Sequence, residues 1–162
     1  MRLFLSTYVN KVDRKGRVSV PALFRTVLSG QNSAGIVAYP SFKETAISCS
    51  GLAWVGEIAA LLETLPEFSD EYRKVANLFS EMRELSFDAE GRIMLPDEMI
   101  AGAGITDTVA FVGLGKTFEI WEPEAHKAYR EGMRQLTREQ GLALPAARSV
   151  VPAPAPAFGG VS

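Results

Sequence analysis

Two arginines occupy matched positions in a repeated segment, where their chemistry suits contact with an anion or a nucleobase. Arg17 and Arg92 each directly follow a glycine, and a proline comes four residues later. The shared pairs, all 75 positions apart, are Asp13 and Asp88, Gly16 and Gly91, Arg17 and Arg92, and Pro21 and Pro96. This constant offset indicates an internal duplication. A guanidinium is a rigid planar fork of N–H donors that matches guanine O6 and N7 or a phosphate.

The same arginines have a structural alternative, in which each pairs with the aspartate of its own copy and fixes the turn. The two roles are compatible, because an aspartate can orient the arginine that contacts a ligand. The copies differ in charge, since the first turn reads Asp13-Arg14-Lys15 and the second reads Asp88-Ala89-Glu90. Two acids in the second turn would repel phosphates, so the first turn is the stronger candidate for binding.

The net charge of −2 does not exclude a nucleic-acid partner, because the charges are unevenly distributed. Residues 1–28 contain one acid, Asp13, and six basic residues: Arg2, Lys11, Arg14, Lys15, Arg17 and Arg25. A local basic surface is what phosphate binding requires, whatever the sum over the chain. A solvated basic surface without a ligand is the alternative interpretation.

Each copy predicts the elements that would position its arginine. The aspartate can accept a hydrogen bond from the backbone two residues on, and the glycine supplies a positive φ, so the copy opens with a turn. Alternating residues follow, Val18-Ser19-Val20 and Ile93-Met94-Leu95, as in a short strand. Pro21 suits the first position of a helix, because its missing N–H needs no partner there. The predicted unit is strand, turn, strand and short helix.

The chain as a whole divides by pattern into five segments. These are a first unit at 3–50, a helical connector at 51–84, a second unit at 85–124, a polar C-terminal helix at 125–141 and a disordered Ala/Pro-rich tail at 142–162. The connector predicts two helices whose apolar stripes begin at Trp54 and Phe68, separated by Pro66 and with Ser69 as an N-cap. The stripes pack on their own chain or, in part, on a neighbouring subunit.

Other candidate chemistry is weak. The segment from Ala110 to Thr117 resembles a phosphate-binding loop, but it leads into a predicted strand and therefore predicts a hairpin. His126 and Cys49 are the single histidine and cysteine, too few for a zinc site, and no serine has a nucleophile-elbow context. We therefore predict no catalytic residue, metal or cofactor. One cysteine and no signal or membrane-spanning run favour a cytoplasmic protein.

The paired Asp-x-x-Gly-Arg units, together with Phe111-Val112-Gly113 and Phe118-Glu119-Ile120-Trp121, resemble the MraZ family. The resemblance covers residues 3 to 140. It implies an α+β, mainly β fold, with two tandem swapped-hairpin units of the SpoVT–AbrB type forming a pseudo-two-fold β-barrel with peripheral helices. Family members are bacterial transcriptional regulators of the division and cell-wall gene cluster. The family also implies a ring-like homo-oligomer.

Residues and resemblance together give specific expectations. Arg17, oriented by Asp13, would recognise double-stranded DNA at promoter repeats, and Lys11, Arg14 and Lys15 would contact phosphates. Arg92 is the less favoured contact, so the second turn would be mainly scaffold. The protein would act as a nucleoid-associated, homo-oligomeric repressor, summing weak contacts by avidity.

Two other classes stay open. The first is an AbrB-type antitoxin or protein-interaction module, although two fused units argue against an antitoxin. The second is an enzyme on a double-psi-like barrel, for which the sequence shows no convergent carboxylates or nucleophile.

Overall fold

A computed structural model describes residues 2–146 of the chain, which belong to two units, one covering residues 2–128 and the other residues 129–146 of the described part. The first unit contains eight strands: β1 (Thr7–Lys11), β2 (Arg17–Ser19), β3 (Gly35–Pro40), β4 (Ile47–Ser50), β5 (Arg83–Ser86), β6 (Arg92–Met94), β7 (Thr108–Gly113) and β8 (Phe118–Trp121). Its complete helices are α1 (Ala22–Ser29), α2 (Leu52–Glu63), α3 (Asp70–Glu81) and α4 (Asp97–Gly102). Helix α5 (Pro123–Gln140) begins in the first unit and ends in the second.

The strand pairing shows the duplication directly. The large sheet is antiparallel, with the order β1-β7-β8-β4-β3-β5, and β2 pairs with β6 in a separate two-stranded ribbon. Strand β1 of the first copy pairs with β7 of the second, and β5 of the second copy pairs with β3 of the first. The opening strand of each copy is therefore exchanged onto the other copy, and neither copy completes its sheet alone.

The core lies where the two copies meet. Phe4, Phe24, Phe111 and Phe118 are almost fully buried, and the rings of Phe4 and Phe24 meet edge to face with centroids 5.2 Å apart. Helix α1 is amphipathic and buries Phe24, Val27 and Leu28. Burial of each such side chain stabilises the fold by about 1.5–3 kcal/mol. This shared aromatic core fixes the position of the β2–β6 ribbon that rests on it through Val18 and Ile93.

The predicted fold class is confirmed at the level of a mixed structure with a mostly antiparallel sheet and five helices. The closed barrel stays a prediction, because the strands in residues 2–146 form an open six-stranded sheet and a two-stranded ribbon. The first unit is predicted from residue 3, and its first strand begins at Thr7. Before it, Phe4 makes an isolated bridge to Gly115, and Ser6 has a positive φ of 74° that interrupts the strand.

The segment between the two copies contains α2 and α3, most of whose apolar side chains are exposed or only partly buried. Ser69 caps α3, and its side-chain oxygen accepts a hydrogen bond from the Tyr72 backbone N–H at 3.1 Å. Helices α2 and α3 contact each other and β3, yet Ile58 is the one buried residue of α2, and α3 has none. Phe68 is 94% exposed. The apolar stripes are therefore only partly covered by the first unit.

The end of the described chain has no regular structure after α5. Residues 141–146 form no helix or strand, and the rest of the predicted disordered tail lies outside the described residues. Across residues 2–146, each helix is too short or too polar to cross a membrane.

Candidate nucleic-acid interface

The first turn is built by one carboxylate. Asp13 Oδ1 accepts hydrogen bonds from the backbone N–H groups of Lys15 (2.9 Å) and Arg17 (2.8 Å), and Asp13 Oδ2 accepts one from Arg17 Nε (2.6 Å). Gly16 has a φ of +87°, and a Cβ there would lie 2.8 Å from the carbonyl oxygen of Leu95. Asp13 stabilises the turn by these hydrogen bonds, and Gly16 can adopt the positive φ that the turn requires. Together they hold the Arg17 guanidinium in one orientation.

The second turn repeats this construction. Asp88 Oδ1 accepts from the backbone N–H groups of Glu90 and Arg92, each at 2.9 Å, and Asp88 Oδ2 accepts from Arg92 Nε at 2.9 Å. Gly91 has a φ of +77°. The structural pairing expected from the sequence is therefore present in both copies, with ion pairs between Asp13 and Arg17 and between Asp88 and Arg92.

The hydrogen bonds shift the acidity of both aspartates in the same direction. The backbone N–H of Arg17 is the largest cause that lowers the pKa of Asp13, and its guanidinium adds to the effect. The backbone N–H of Arg92 lowers the pKa of Asp88 in the same way, and Asp88 in turn raises the pKa of Arg92. Both carboxylates are therefore ionised at neutral pH, which is the state that can orient the arginines.

We expect the Asp13 turn to lose its contribution to stability in acid. Because the pKa of Asp13 is lower in the folded state than in the unfolded chain, this contribution is present at neutral pH and is lost as the pH falls below about 4. Urea unfolding at pH 7 should show Asp13→Asn to be less stable than the wild type, with a smaller gap at pH 3. The comparison variant Asp107→Asn changes an exposed carboxylate that accepts from the Thr106 hydroxyl and, within residues 2–146, from no backbone N–H, so it should cost less stability at pH 7 than Asp13→Asn does. A gap for Asp13→Asn that is equal at both pH values would contradict the prediction.

The two arginines lie on one face of the ribbon that the copies share. In the β2–β6 pair, Val18 lies opposite Ile93, Arg17 opposite Met94 and Ser19 opposite Arg92. Val18 and Ile93 are each 1% exposed and face the core, so alternation turns the other four side chains outward. We call these four residues the outer ribbon face: Arg17, Ser19, Arg92 and Met94.

Each turn is also anchored by the strand of the other copy. The backbone N–H of Val20 donates to the Gly91 carbonyl oxygen at 3.2 Å, and that of Leu95 donates to the Gly16 carbonyl oxygen at 2.9 Å. The two turns therefore sit at opposite ends of the ribbon. The result is a pseudo-symmetric surface with one Asp–Arg pair beside each end.

The two guanidinium groups differ in the donors that they leave open. Arg92 Nη2 donates to Glu90 Oε1 at 3.1 Å, so this guanidinium is engaged by two acids. Arg17 is bound through Nε, and within residues 2–146 its two terminal nitrogens have no hydrogen-bond partner. Arg17 is thus held in place through Nε and has both terminal nitrogens available to donate hydrogen bonds to a ligand. Both terminal nitrogens of Arg92 become available only if its bond to Glu90 breaks.

The structure gathers some of the predicted basic residues and separates others. Arg14 and Lys15 are exposed in the first turn, and Lys11 is exposed at the end of the edge strand β1. Arg25 lies instead at the second turn, where its guanidinium packs against Gly91 and its Nε donates to the Val20 carbonyl oxygen at 3.1 Å. Arg2 is also apart and lines a surface cavity with Trp54.

The sequence pattern alone did not show where three residues would lie relative to the turns: Ser19, Arg25 and Met94. Met94 and Ser19 belong to the outer ribbon face because β2 pairs with β6, and this pairing depends on strand exchange between the copies. Arg25 reaches the second turn for the same reason. The alternation in Ile93-Met94-Leu95 was the available signal for Met94, but it did not say which residue would lie opposite.

The other candidate residues lie away from this surface. His126 is buried with its ring centroid 5.5 Å from that of Trp121, and burial raises the pKa of the Cys49 thiol. The segment between β7 and β8 is a hairpin turn, as predicted, with no helix after it to hold a phosphate. Among residues 2–146, no group of three or more His, Cys, Asp or Glu side chains is placed to hold a metal ion.

Comparison with known proteins identifies relatives of this chain. Residues 78–144 match the family model described as "MraZ protein, putative antitoxin-like". The chain is 41% identical to "Transcriptional regulator MraZ" of Rickettsia canadensis (strain McKiel) over 145 residues, which are 89% of this chain and 97% of that protein. It is 46% identical over 140 residues to the protein of the same name from Xanthobacter autotrophicus, with 86% and 89% of the two chains covered. With nearly full-length similarity on both sides, the chain belongs to the MraZ family.

Proposed function

We propose that this chain is a sequence-specific DNA-binding regulator of transcription that recognises duplex DNA with the outer ribbon face and the first turn. The observation that carries the proposal is the pair of carboxylate-held arginines on one exposed ribbon, with exposed cations in the turn beside Arg17. The name of its curated relatives, "Transcriptional regulator MraZ", supports the same function.

The dimensions of the ribbon suit a DNA groove. Arg17 and Arg92 are diagonal neighbours across β2 and β6, a relation that places side chains about 7–8 Å apart in antiparallel pairs. The major groove of B-DNA admits a two-stranded ribbon, and an arginine fork there can bind guanine O6 and N7 together. Because Asp13 already fixes Arg17, little side-chain freedom is lost when the fork meets a base.

The surrounding charges would supply affinity rather than sequence selection. Lys11, Arg14 and Lys15 are exposed in or just before the first turn, and we propose that they contact phosphates near the base that Arg17 reads. Such contacts release counterions, so binding should weaken steeply with salt. The second turn carries Glu90 and Asp88 near Arg92, and we assign it mainly to scaffolding.

One basic turn gives modest affinity, so we propose that several copies of the chain act together on promoter repeats. A homo-oligomer, with the exchanged hairpins of each chain closed into a barrel, would bind neighbouring repeats and convert later contacts into intramolecular ones. The target would be the promoter of the division and cell-wall cluster, and the action would be repression by a cytoplasmic, nucleoid-associated protein. We assign the chain no catalytic role and no cofactor.

The experiment that tests the function is a fluorescence-anisotropy titration of the full chain. The probe is a labelled duplex from the region upstream of the chain's own gene, and the control is a shuffled duplex of equal length and composition. Both are measured at about 50 and 200 mM salt. We expect the upstream duplex to bind at least tenfold more tightly, with both affinities falling as salt rises. Equal affinity for the two duplexes would overturn the proposal.

A second candidate function, an antitoxin or other protein-interaction module, is favoured by one surface. Phe42 and Phe68 are 80% and 94% exposed, and a shallow groove along α3 is lined by Phe42, Val75 and Leu78. The family model's description, "putative antitoxin-like", points the same way. Stoichiometric co-purification of a small partner from the native host, lost in a Phe42→Ser variant, would support this function over direct DNA binding alone.

A further inference from the structure

We propose that Met94 is a base-reading residue, which contacts the methyl group of a thymine next to the base pair that Arg17 reads. This inference rests on the proposed DNA-binding function and assigns part of its sequence preference. It makes the second copy of the repeat a participant in recognition through its strand, although its acidic turn is unsuited to phosphates.

The first step is the position of Met94 on the ribbon. Met94 lies directly opposite Arg17 in the β2–β6 register, and directly opposite residues of an antiparallel pair have Cβ atoms about 4.5–5.5 Å apart. Successive base pairs are spaced by about 3.4 Å along the helix axis. A side chain beside Arg17 is therefore within reach of a base pair adjacent to the one that the guanidinium contacts.

The second step is the exposure of Met94. Its neighbours Ile93 and Leu95 are each 1% exposed, whereas Met94 is 54% exposed, on a face that otherwise carries two arginines and a serine. In the free protein this apolar side chain is exposed to water, and its transfer to an apolar contact would be favourable. In the major groove, the apolar feature that a base presents is the C5-methyl group of thymine. The flexible thioether of methionine suits such a contact.

The third step is the difference between the two halves of the ribbon. The pseudo-symmetry places Ser19 opposite Arg92, where Met94 stands opposite Arg17. The half with the basic turn, where the terminal nitrogens of Arg17 have no hydrogen-bond partner within residues 2–146, therefore has the apolar residue opposite its arginine. The half in which Glu90 holds the guanidinium has a hydroxyl, which can donate to or accept from several bases. The outer ribbon face is thus expected to prefer a guanine adjacent to a thymine on the Arg17 side.

The test removes single methyl groups from the DNA. In the upstream duplex, each thymine is replaced in turn by deoxyuridine, which lacks only the C5-methyl group, and the anisotropy titration is repeated with the full chain. For the wild type, we expect at least one position per bound repeat where this change weakens binding about fourfold, the value of one buried methyl-sized group. In Met94→Ala, that position should become insensitive to the change.

Two variants separate base reading from a general effect on the surface. Leu114 is also 54% exposed but lies in the β7–β8 turn, so Leu114→Ala should keep the full deoxyuridine profile. Met94→Leu should retain most of the sensitivity, because it keeps an apolar contact of similar size. Circular dichroism melting should show Met94→Ala to be folded, since the side chain is largely outside the core.

The outcomes distinguish this inference from the function on which it rests. A wild type that prefers the upstream duplex but has no deoxyuridine-sensitive thymine overturns the role of Met94 and leaves DNA binding intact. The same conclusion follows if Met94→Ala keeps the wild-type profile. If Met94→Ala instead lowers the oligomeric state in sedimentation experiments and keeps the profile, the exposed methionine is a contact between copies. A wild type with no preference between duplexes overturns both proposals.

Discussion

Arg17→Ala should lower the affinity for the upstream duplex by about 5- to 150-fold, the value of one bidentate arginine–guanine pair, and more if several copies bind together. The loss should fall on the specific duplex, so that the variant binds the upstream and shuffled sequences with similar affinity. The reason is the pair of free terminal nitrogens that Arg17 presents from the Asp13 anchor. Anisotropy titrations of both duplexes at two salt concentrations measure the change.

The turn itself should survive this substitution. Asp13 accepts hydrogen bonds from the backbone N–H groups of residues 15 and 17. Both bonds remain possible in Arg17→Ala, because alanine also has a backbone N–H. An exposed ion pair contributes little to stability, so we expect the unfolding midpoint to change only slightly. A strong loss of binding with a wild-type melting curve would therefore report on contact with DNA rather than on unfolding.

Two further variants give this prediction its contrast. Arg92→Ala is the matched change in the second copy and should cost much less, because Glu90 and Asp88 already engage that guanidinium. Arg17→Lys keeps the positive charge and removes the planar fork, so it should retain nonspecific binding but lose preference for the upstream duplex. Equal losses from Arg17→Ala and Arg92→Ala would show that both turns read DNA and would refute the asymmetric model.

The local design of the turns was predictable from the sequence because it depends on neighbours in the chain. Asp13, Gly16 and Arg17 lie within five residues, and the hydrogen-bonding capacity of aspartate and the positive φ of glycine already specify the turn. The same reasoning applied to the second copy. The helix cap at Ser69 also followed from a local pattern.

The partnership across the ribbon was not predictable in the same way. Which residue faces Arg17 depends on the pairing of β2 with β6, two strands about 75 residues apart in the chain. Strand exchange likewise moved Arg25 to the second turn, although the sequence places it among the basic residues of the first copy. Charge counted along a segment therefore overstated the basic surface at the first turn.

The exposure of the connector helices was a second feature that the sequence pattern could not predict. Stripes at helical spacing indicate that a face is apolar, but they do not specify what covers it. In the structure, Phe68 and Leu61 remain 94% and 50% exposed. Contact with a neighbouring subunit was one of the two interpretations that the sequence allowed, and it stays a prediction.

The charge of the second turn offers the reverse experiment, a gain of DNA binding. The double variant Ala89→Arg with Glu90→Lys gives the second turn the side chains of the first, Arg14 and Lys15. Asp88 binds the backbone N–H of residue 90, so the turn should be preserved. Removal of the Glu90 carboxylate also releases Arg92 Nη2 for contact with DNA.

We expect this double variant to bind both duplexes more tightly at about 50 mM salt and to lose that advantage as salt rises. Two new phosphate contacts should steepen the slope of log affinity against log salt by about 2, so the variant loses roughly tenfold more affinity than the wild type between 50 and 200 mM. The matched control, Ala60→Arg with Glu63→Lys at exposed positions of α2, changes the net charge equally away from the ribbon. If both double variants steepen the salt slope alike, net charge governs binding and the second turn lies outside the interface. If only the turn variant steepens it, the second turn lies close to the DNA. The wild-type second turn then lacks phosphate contacts because it carries Glu90 and has no cation at positions 89 and 90.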